Sequence, residues 1–245
     1  MDAAEFERLI ARARDPRLIA GIYNFCDGRC PRCPFTERCL TYLDTQELKA
    51  ERGEGRSLAD TLGDSLQRTL AILAEAARRD GVDLDAPEDE AQACATERDL
   101  ERHRADPLVV RAREYGRLAW RIGRAIAPLA AARDDAALVE AVETIEWFAS
   151  LISSKLYRAV CGQAEGWERP EDVQSDFNGS AKVALLGIAD SRRAWTVLME
   201  AGRATADGVP AQAVRILEEL DAAVRARFPL VMAFVRPGFD EGGAR

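Results

Sequence analysis

Apolar residues recur at intervals of three and four along most of the 245-residue chain. This spacing places side chains on one face of an α-helix. No segment alternates apolar and polar residues with the period of two expected of a half-buried strand, and runs rich in valine, isoleucine and threonine are absent. The pattern therefore predicts an all-α protein.

The periodicity predicts eight helices with conventional start signals. Ser57, Asp106 and Ser180 precede apolar-periodic segments and are expected to cap them, because their side-chain oxygens can accept hydrogen bonds from the first backbone N–H groups. Pro107 and Pro210 suit first-turn positions. We place the helices at 2–14, 16–25, 57–79, 87–104, 107–132, 135–163, 180–203 and 210–228.

The chain divides into three predicted parts. Residues 1–56 form a cysteine-rich head that ends in a polar loop at 51–56, residues 57–235 form an antiparallel helical bundle, and residues 236–245 form a flexible tail. The chain is 47% hydrophobic and 31% charged, which allows a sizeable core and a solvated surface.

Charge and targeting signals narrow the classes of partner. The chain has 34 basic and 42 acidic residues, a net charge of -8, so specific binding to nucleic acid is not expected. The first residues lack the basic-then-apolar order of a signal peptide, and no apolar run is long enough to span a membrane. We therefore expect a cytoplasmic protein without a membrane partner.

Four of the six cysteines fall within fourteen residues. They are Cys26, Cys30, Cys33 and Cys39 in the segment CDGRCPRCPFTERC. In a reducing compartment such a cluster is more typical of metal ligands than of disulfides. Converging thiolates repel one another and need a cation, so the spacing predicts one metal centre in the head. The remaining alternatives are a [4Fe-4S] cluster, a structural zinc ion and free thiols.

A local resemblance favours the iron-sulfur alternative. The segment from Cys30 to Cys39 resembles the C-x2-C-P-x4-C part of the [4Fe-4S] loops in helix-hairpin-helix DNA glycosylases and AddB-type nuclease subunits, and Cys26 takes the place of their upstream cysteine. The resemblance covers about ten residues and implies a cluster. It implies neither activity, because the glycosylase hairpin and the catalytic residues of both families are missing.

Two charged residues interrupt predicted apolar faces in the bundle. Lys155 follows the stripe Leu138, Val142, Ile145, Phe148 and Ile152, and Asp190 lies in the stripe Val183, Leu186, Gly187, Ala194 and Val197. Buried charges need partners, so each is expected to be paired, and pairing with each other is one arrangement that meets this need.

These residues predict either a structural ion pair or a polar pocket. A pocket of this kind could bind a small anion or carry out acid-base chemistry. Its main candidates are Lys155, Arg158, Asp176, Asn178, Lys182 and Asp190, with Glu143, Glu146, Tyr157 and Trp195 nearby.

Three functions are compatible with these features. The first is a cytosolic [4Fe-4S] protein that serves redox chemistry, sensing or electron delivery to a partner protein. The second is a zinc-stapled helical interaction module without catalysis. The third is an enzyme that uses the Lys155 and Asp190 pocket. The sequence identifies neither a ligand nor an oligomeric state.

Overall fold

The computed structural model of the protein describes residues 3–52, 58–86, 90–131, 135–166, 168–169, 171–203 and 208–241. These residues form helices joined by turns, and no strand occurs among them. The helices are α1 (Ala3–Ala13), α2 (Leu40–Arg52), α3 (Leu58–Asp80), α4 (Glu90–Arg104), α5 (Pro107–Ala131), α6 (Ala136–Glu165), α7 (Asp176–Leu198) and α8 (Val209–Arg227). The prediction of an all-α protein is confirmed.

Two compact units divide the chain, and the boundary falls within α4. The described residues up to Cys94 form one unit and those from Ala95 to Glu241 form the other. The boundary thus lies farther along the chain than the predicted loop at 51–56, because α3 packs with α1 in the N-terminal unit. Glu51 and Arg52, the first residues of that loop, belong to α2.

The C-terminal unit contains the main hydrophobic core. The helix α6 packs mainly against α5 and α7, and α8 packs against both of these helices. The predicted stripe of α6 is buried, namely Leu138, Val142, Ile145, Phe148, Ile152 and Ala159. Close helix approach requires glycine at two positions. A Cβ at Gly116 would lie 2.5 Å from the Ala149 carbonyl oxygen, and one at Gly187 would lie 2.7 Å from Phe148 Cδ1.

The N-terminal unit has little apolar core. Before Leu108, the buried hydrophobic side chains among the described residues are Phe6 and Ile22. A unit of this size normally needs a metal, a disulfide or a partner to compensate for so small a core.

The predicted helix at 16–25 is wrong. Residues 16–25 form turns and a short 3-10 segment, Ile22–Asn24. Gly21 has a φ of 70°, which a right-handed helix does not tolerate, and the backbone N–H of Ile19 donates to the Arg38 carbonyl 2.9 Å away. A long-range hydrogen bond thus replaces the local bond that a helix would need. The helix α2 was absent from the predicted set.

Of the three predicted caps, one is confirmed, one lies outside the described residues and one is wrong. Asp106 caps α5 by accepting from the Leu108 N–H at 2.9 Å, while Ser57 lies outside the described residues. Ser180 does not cap α7. The helix begins at Asp176, and Ser175 is its cap, with the Asn178 N–H 3.3 Å from the Ser175 Oγ. At the other end, α7 continues into a π-helical turn, Met199–Arg203.

Candidate functional site

The cysteine segment lies between the 3-10 turn at Ile22–Asn24 and α2. It contains two further 3-10 turns, Cys30–Arg32 and Thr36–Arg38, with Gly28 at a φ of 73° before the first. The Pro31 ring suits the first of these turns, because proline fixes φ and lacks the N–H that a turn start leaves unpaired. The backbone therefore folds back on itself between successive cysteines.

Hydrogen bonds attach this segment to the residues that follow α1. The Arg38 Nε donates to the Arg17 carbonyl at 3.2 Å, in addition to the Ile19–Arg38 backbone bond. Inside the segment the Arg29 N–H donates to Asp27 Oδ1 at 3.0 Å. The helix α2 is joined to α1 by Arg12, which donates to Glu47 Oε1 at 2.8 Å and lies 3.2 Å from Asp44 Oδ1.

All four predicted metal ligands are half-buried cysteines that form no disulfide. Cys26 Sγ donates to the Tyr23 carbonyl at 3.5 Å. Burial raises the pKa of the Cys30 thiol, and the neighbouring Cys39 and Cys33 thiols raise it further. The Cys30 sulfur therefore interacts electrostatically with the Cys39 and Cys33 sulfurs.

This proximity is not a preformed coordination site. Within the described residues, no set of three or more Cys, His, Asp or Glu side chains is arranged to hold a metal ion. The metal centre and its identity stay predictions. Within the same residues, no helix has both the length and the apolar character needed to cross a membrane.

The six residues predicted to line a pocket take part in several separate sets of contacts. Arg158 on α6 holds Asp176 at the start of α7 through two hydrogen bonds, Nε to Oδ2 at 2.8 Å and Nη2 to Oδ1 at 2.5 Å. The Asp176 N–H donates to both carboxylate oxygens of Glu168 at 2.7 and 2.9 Å. Asn178 Nδ2 donates to the Asp172 carbonyl at 3.0 Å. These contacts fix the chain that leads into α7.

Lys155 and Asp190 are less buried than the stripe pattern predicted. Lys155 is half-buried, and the Asp190 side chain is 37% exposed and pairs with Arg193 one turn later. The reason is that α7 buries more than one face. Leu185, Ile188 and Trp195 are buried in the core, so the predicted stripe does not mark a single inward direction.

Lys182 is the most buried of the charged candidates, with a side chain 10% exposed. Its Nζ lies 2.8 Å from Asp240 Oδ2 and donates to the Phe234 carbonyl at 2.5 Å. Asp240 also accepts from the Arg236 N–H at 3.0 Å and from Arg236 Nη2 at 2.9 Å. Burial alone would raise the pKa of Asp240, but these hydrogen bonds outweigh burial and lower it well below its usual range.

The Lys182 cluster includes residues of the segment 236–245, which the sequence predicted to be a flexible tail. Residues 236–241 are held to α7 through Asp240, while 242–245 lie outside the described residues. Arg236 and Asp240 were missed as partners. The Pro237-Gly238 pair between them is a turn signal that brings residues four apart together, and Gly238 has a φ of 74°.

A third missed residue is Tyr115, which is fully buried on α5. Trp195 Nε1 donates to its hydroxyl at 3.2 Å, and burial raises the pKa of Tyr115 to about 12. The pair links α5 to α7 inside the core. Its burial and neutral state indicate a structural role.

Comparison with protein-family models, curated proteins and solved structures gives no match. The functional interpretation therefore rests on the residues and their arrangement.

Proposed function

We propose that the N-terminal unit binds one metal centre through Cys26, Cys30, Cys33 and Cys39, and that this centre is a [4Fe-4S] cluster. The observation that carries the proposal is the presence of four half-buried cysteines within fourteen residues, none of them in a disulfide, with the Cys39 and Cys33 thiols acting on the Cys30 thiol. A centre of this kind gives the protein a role in redox chemistry, sensing or electron delivery to a partner protein.

The chemistry of the thiols supports a cation at this place. Burial and the neighbouring thiols raise the pKa of Cys30, so its thiolate is disfavoured unless a cation lies beside it. A metal reverses this effect, because the thiolate is the ligand and metal binding displaces the proton. Arg29, Arg32 and Arg38 lie in the same segment and add positive charge beside an anionic cluster.

The small core of the N-terminal unit supports the same conclusion. With Phe6 and Ile22 as its buried hydrophobic side chains among the described residues, the unit gains little free energy from apolar burial. Binding of a structural metal contributes folding free energy directly. We expect the four sulfurs to converge as the centre binds, since folding and metal binding are coupled in such segments.

Zinc is the second candidate. Four cysteine thiolates also suit a structural zinc ion, which carries no redox chemistry. The exposed leucines of α3 favour this alternative, because a zinc-stapled unit with an apolar helix face is typical of an interaction module. We do not propose an enzymatic role for Lys155 and Asp190.

The proposal also includes an antiparallel arrangement of the helical bundle. Gly116 on α5 faces Ala149 on α6, and Gly123 on α5 faces Glu146 on α6. Residue numbers therefore rise along α5 while they fall along α6, which supports an antiparallel bundle.

We place the protein in the cytoplasm, where thiols stay reduced, without a membrane partner or a specific nucleic-acid partner.

Metal analysis of protein purified without oxygen tests the proposal. We expect a brown protein with four iron atoms and four sulfides per chain. Cys30→Ala should lose most of the metal, whereas the control Cys161→Ala, which removes a half-buried thiol on α6, should retain it. A colourless protein with one zinc ion selects the second candidate. Full metal retention in Cys30→Ala, or no metal in the unaltered protein after reconstitution, contradicts both.

A further inference from the structure

One face of α5 carries a row of four arginines, Arg113, Arg117, Arg121 and Arg124. Their spacing of four, four and three residues places them on the same side of the helix, along about 16 Å of its axis. Arg113 is half-buried and the other three are exposed. We call these four residues the arginine row.

The arginine row has no carboxylate partner among the residues that the structure describes. No hydrogen bond or ion pair within that part of the chain reaches Arg117, Arg121 or Arg124. Arg113 donates to a backbone carbonyl, that of Arg104, at 3.4 Å. The chain has 42 acidic and 34 basic residues, yet its excess of acid leaves this row uncovered. The row is therefore available to an anion from outside the chain.

The carboxylates closest to the arginine row do not cancel its charge. The acidic residue of α5, Glu114, is engaged by Arg111 at 2.5 Å. On α6, Glu146 lies against Gly123, where a Cβ would stand 2.8 Å from its Oε1, and Glu143 is exposed one turn earlier. Four arginines against the two carboxylates of α6 leave a net positive surface.

Trp120 lies within the same row. It is three residues from Arg117 and four from Arg124, which places it on the same face of α5. Trp120 is 47% exposed. Within the part of the chain that the structure describes, its indole takes part in no hydrogen bond and no aromatic or cation contact. An exposed indole offers a flat apolar surface on which a nucleotide base can stack.

We propose that the arginine row and Trp120 bind single-stranded nucleic acid without sequence preference. The arginines require an anion, and guanidinium groups bind phosphate through paired hydrogen bonds. A row about 16 Å long suits an extended polyanion better than a single small anion. The indole between the arginines requires flat rings beside the charges. Phosphates and carboxylates alone do not supply such rings, and a duplex keeps its bases stacked inside.

Binding of this kind depends on backbone charge and base stacking and not on sequence. It is therefore compatible with the absence of a specific nucleic-acid partner that the net charge of -8 predicts. The acidic surface elsewhere on the chain weakens the binding, so we expect a dissociation constant on the order of 10 μM at physiological salt. The inference rests on α5 and does not depend on the metal proposal.

Fluorescence anisotropy on the full chain tests the proposal. The probes are labelled oligouridylate and oligodeoxythymidylate of equal length, at salt concentrations from about 50 to 200 mM. We expect binding whose logarithm falls with the logarithm of the salt concentration at a slope of about -2, from three phosphate contacts at about 0.7 each. Tighter binding of one probe supports the proposal and identifies RNA or DNA as the source. No binding at the lowest salt, or equal or tighter binding of a duplex of the same length, would overturn it.

A pair of double variants separates the arginine row from the overall charge. Arg117→Ala with Arg121→Ala should weaken binding at least about tenfold and reduce the slope by about 1.4, since two phosphate contacts are lost. The control Arg192→Ala with Arg225→Ala changes the net charge equally but removes arginines that carboxylates already pair, and should leave both quantities unchanged. Circular dichroism checks that both variants fold. Equal losses of binding in the two variants would overturn the proposal.

Trp120→Leu separates base stacking from charge. It should weaken binding of both single strands at least about fivefold, which corresponds to the loss of one stacked base. The same variant should bind inorganic polyphosphate as tightly as the unaltered protein, because polyphosphate has no rings to stack. Unchanged binding of the single strands, or an equal loss of polyphosphate binding, would overturn nucleic acid as the ligand in favour of a polyanion without rings.

Discussion

At the scale of single residues, Lys182 makes the contacts that join the last described residues to α7. Its ammonium binds Asp240 and the Phe234 carbonyl at the edge of the core. Lys182→Met should lower the free energy of unfolding by roughly 2 to 3 kcal/mol, because it removes the donor from two acceptors that are mostly buried. Lys49→Met, at an exposed position on α2, serves as the control and should change it by less than about 0.5 kcal/mol. Urea denaturation measures both, and equal effects would contradict the role assigned to Lys182.

Glu75 gives the N-terminal unit a defined response to acid. Hydrogen bonds from Arg78 and Arg79 lower the pKa of Glu75 from its ordinary 4.5 to about 2. Its contribution to stability is therefore complete above pH 4.5 and is lost as the pH falls through the folded-state pKa near 2. We expect Glu75→Gln to be less stable than the unaltered protein at neutral pH, and the difference to shrink between pH 4.5 and 2. Thermal melts over this range measure it. The two proteins share the same cysteines, so acid effects on a metal centre cancel, and a constant difference would contradict the assignment.

At the scale of elements, two serines at the start of α7 have opposite roles. The Ser175 hydroxyl caps the helix, whereas the Ser180 hydroxyl is buried without a hydrogen-bond partner. Ser175→Ala should cost about 1 kcal/mol of stability because it leaves a first-turn N–H unpaired. Ser180→Ala should be neutral or stabilising by up to about 1 kcal/mol, since it removes a buried polar group that gains nothing. Each variant removes one serine hydroxyl. Equal losses in the free energy of unfolding, measured by chemical denaturation, would therefore disprove that α7 begins at Asp176 with Ser175 as its cap.

At the scale of the whole molecule, the two units derive their stability from different sources. The C-terminal unit has a continuous hydrophobic core, whereas the described part of the N-terminal unit buries Phe6 and Ile22, and we propose that a metal centre stabilises it. In Cys30→Ala we therefore expect amide hydrogen exchange in α1, α2 and α3 to accelerate at least roughly tenfold while α5 to α8 keep their protection. Hydrogen exchange followed by mass spectrometry measures this, with Cys161→Ala as the control. Uniform acceleration throughout the chain would show that the units do not differ in this way.

The sequence by itself determined the secondary-structure class and the buried apolar stripe of α6. Period-3.6 patterns are local, because residues three and four apart share a helix face wherever the helix lies. For that reason the stripe of α6 was predicted correctly residue by residue, and so was the Asp106 cap. The clustering of four cysteines is equally a property of the sequence, and their role as metal ligands stays a prediction.

The tertiary structure alone decided which groups meet across long sequence separations. Lys182 pairs with Asp240, which lies fifty-eight residues later in the chain. Arg158 pairs with Asp176, whereas the sequence predicted that both residues line a pocket. Both pairs depend on where whole helices end. Long-range bonds also overrode local propensity at 16–25, where the Ile19 N–H pairs with Arg38. Tertiary packing also decided the orientation of α3. Its amphipathic pattern is visible in the sequence, but only packing against α1 determined that Leu62, Leu66, Leu70 and Leu73 point outward, since a periodic pattern defines a face and not the neighbour that covers it.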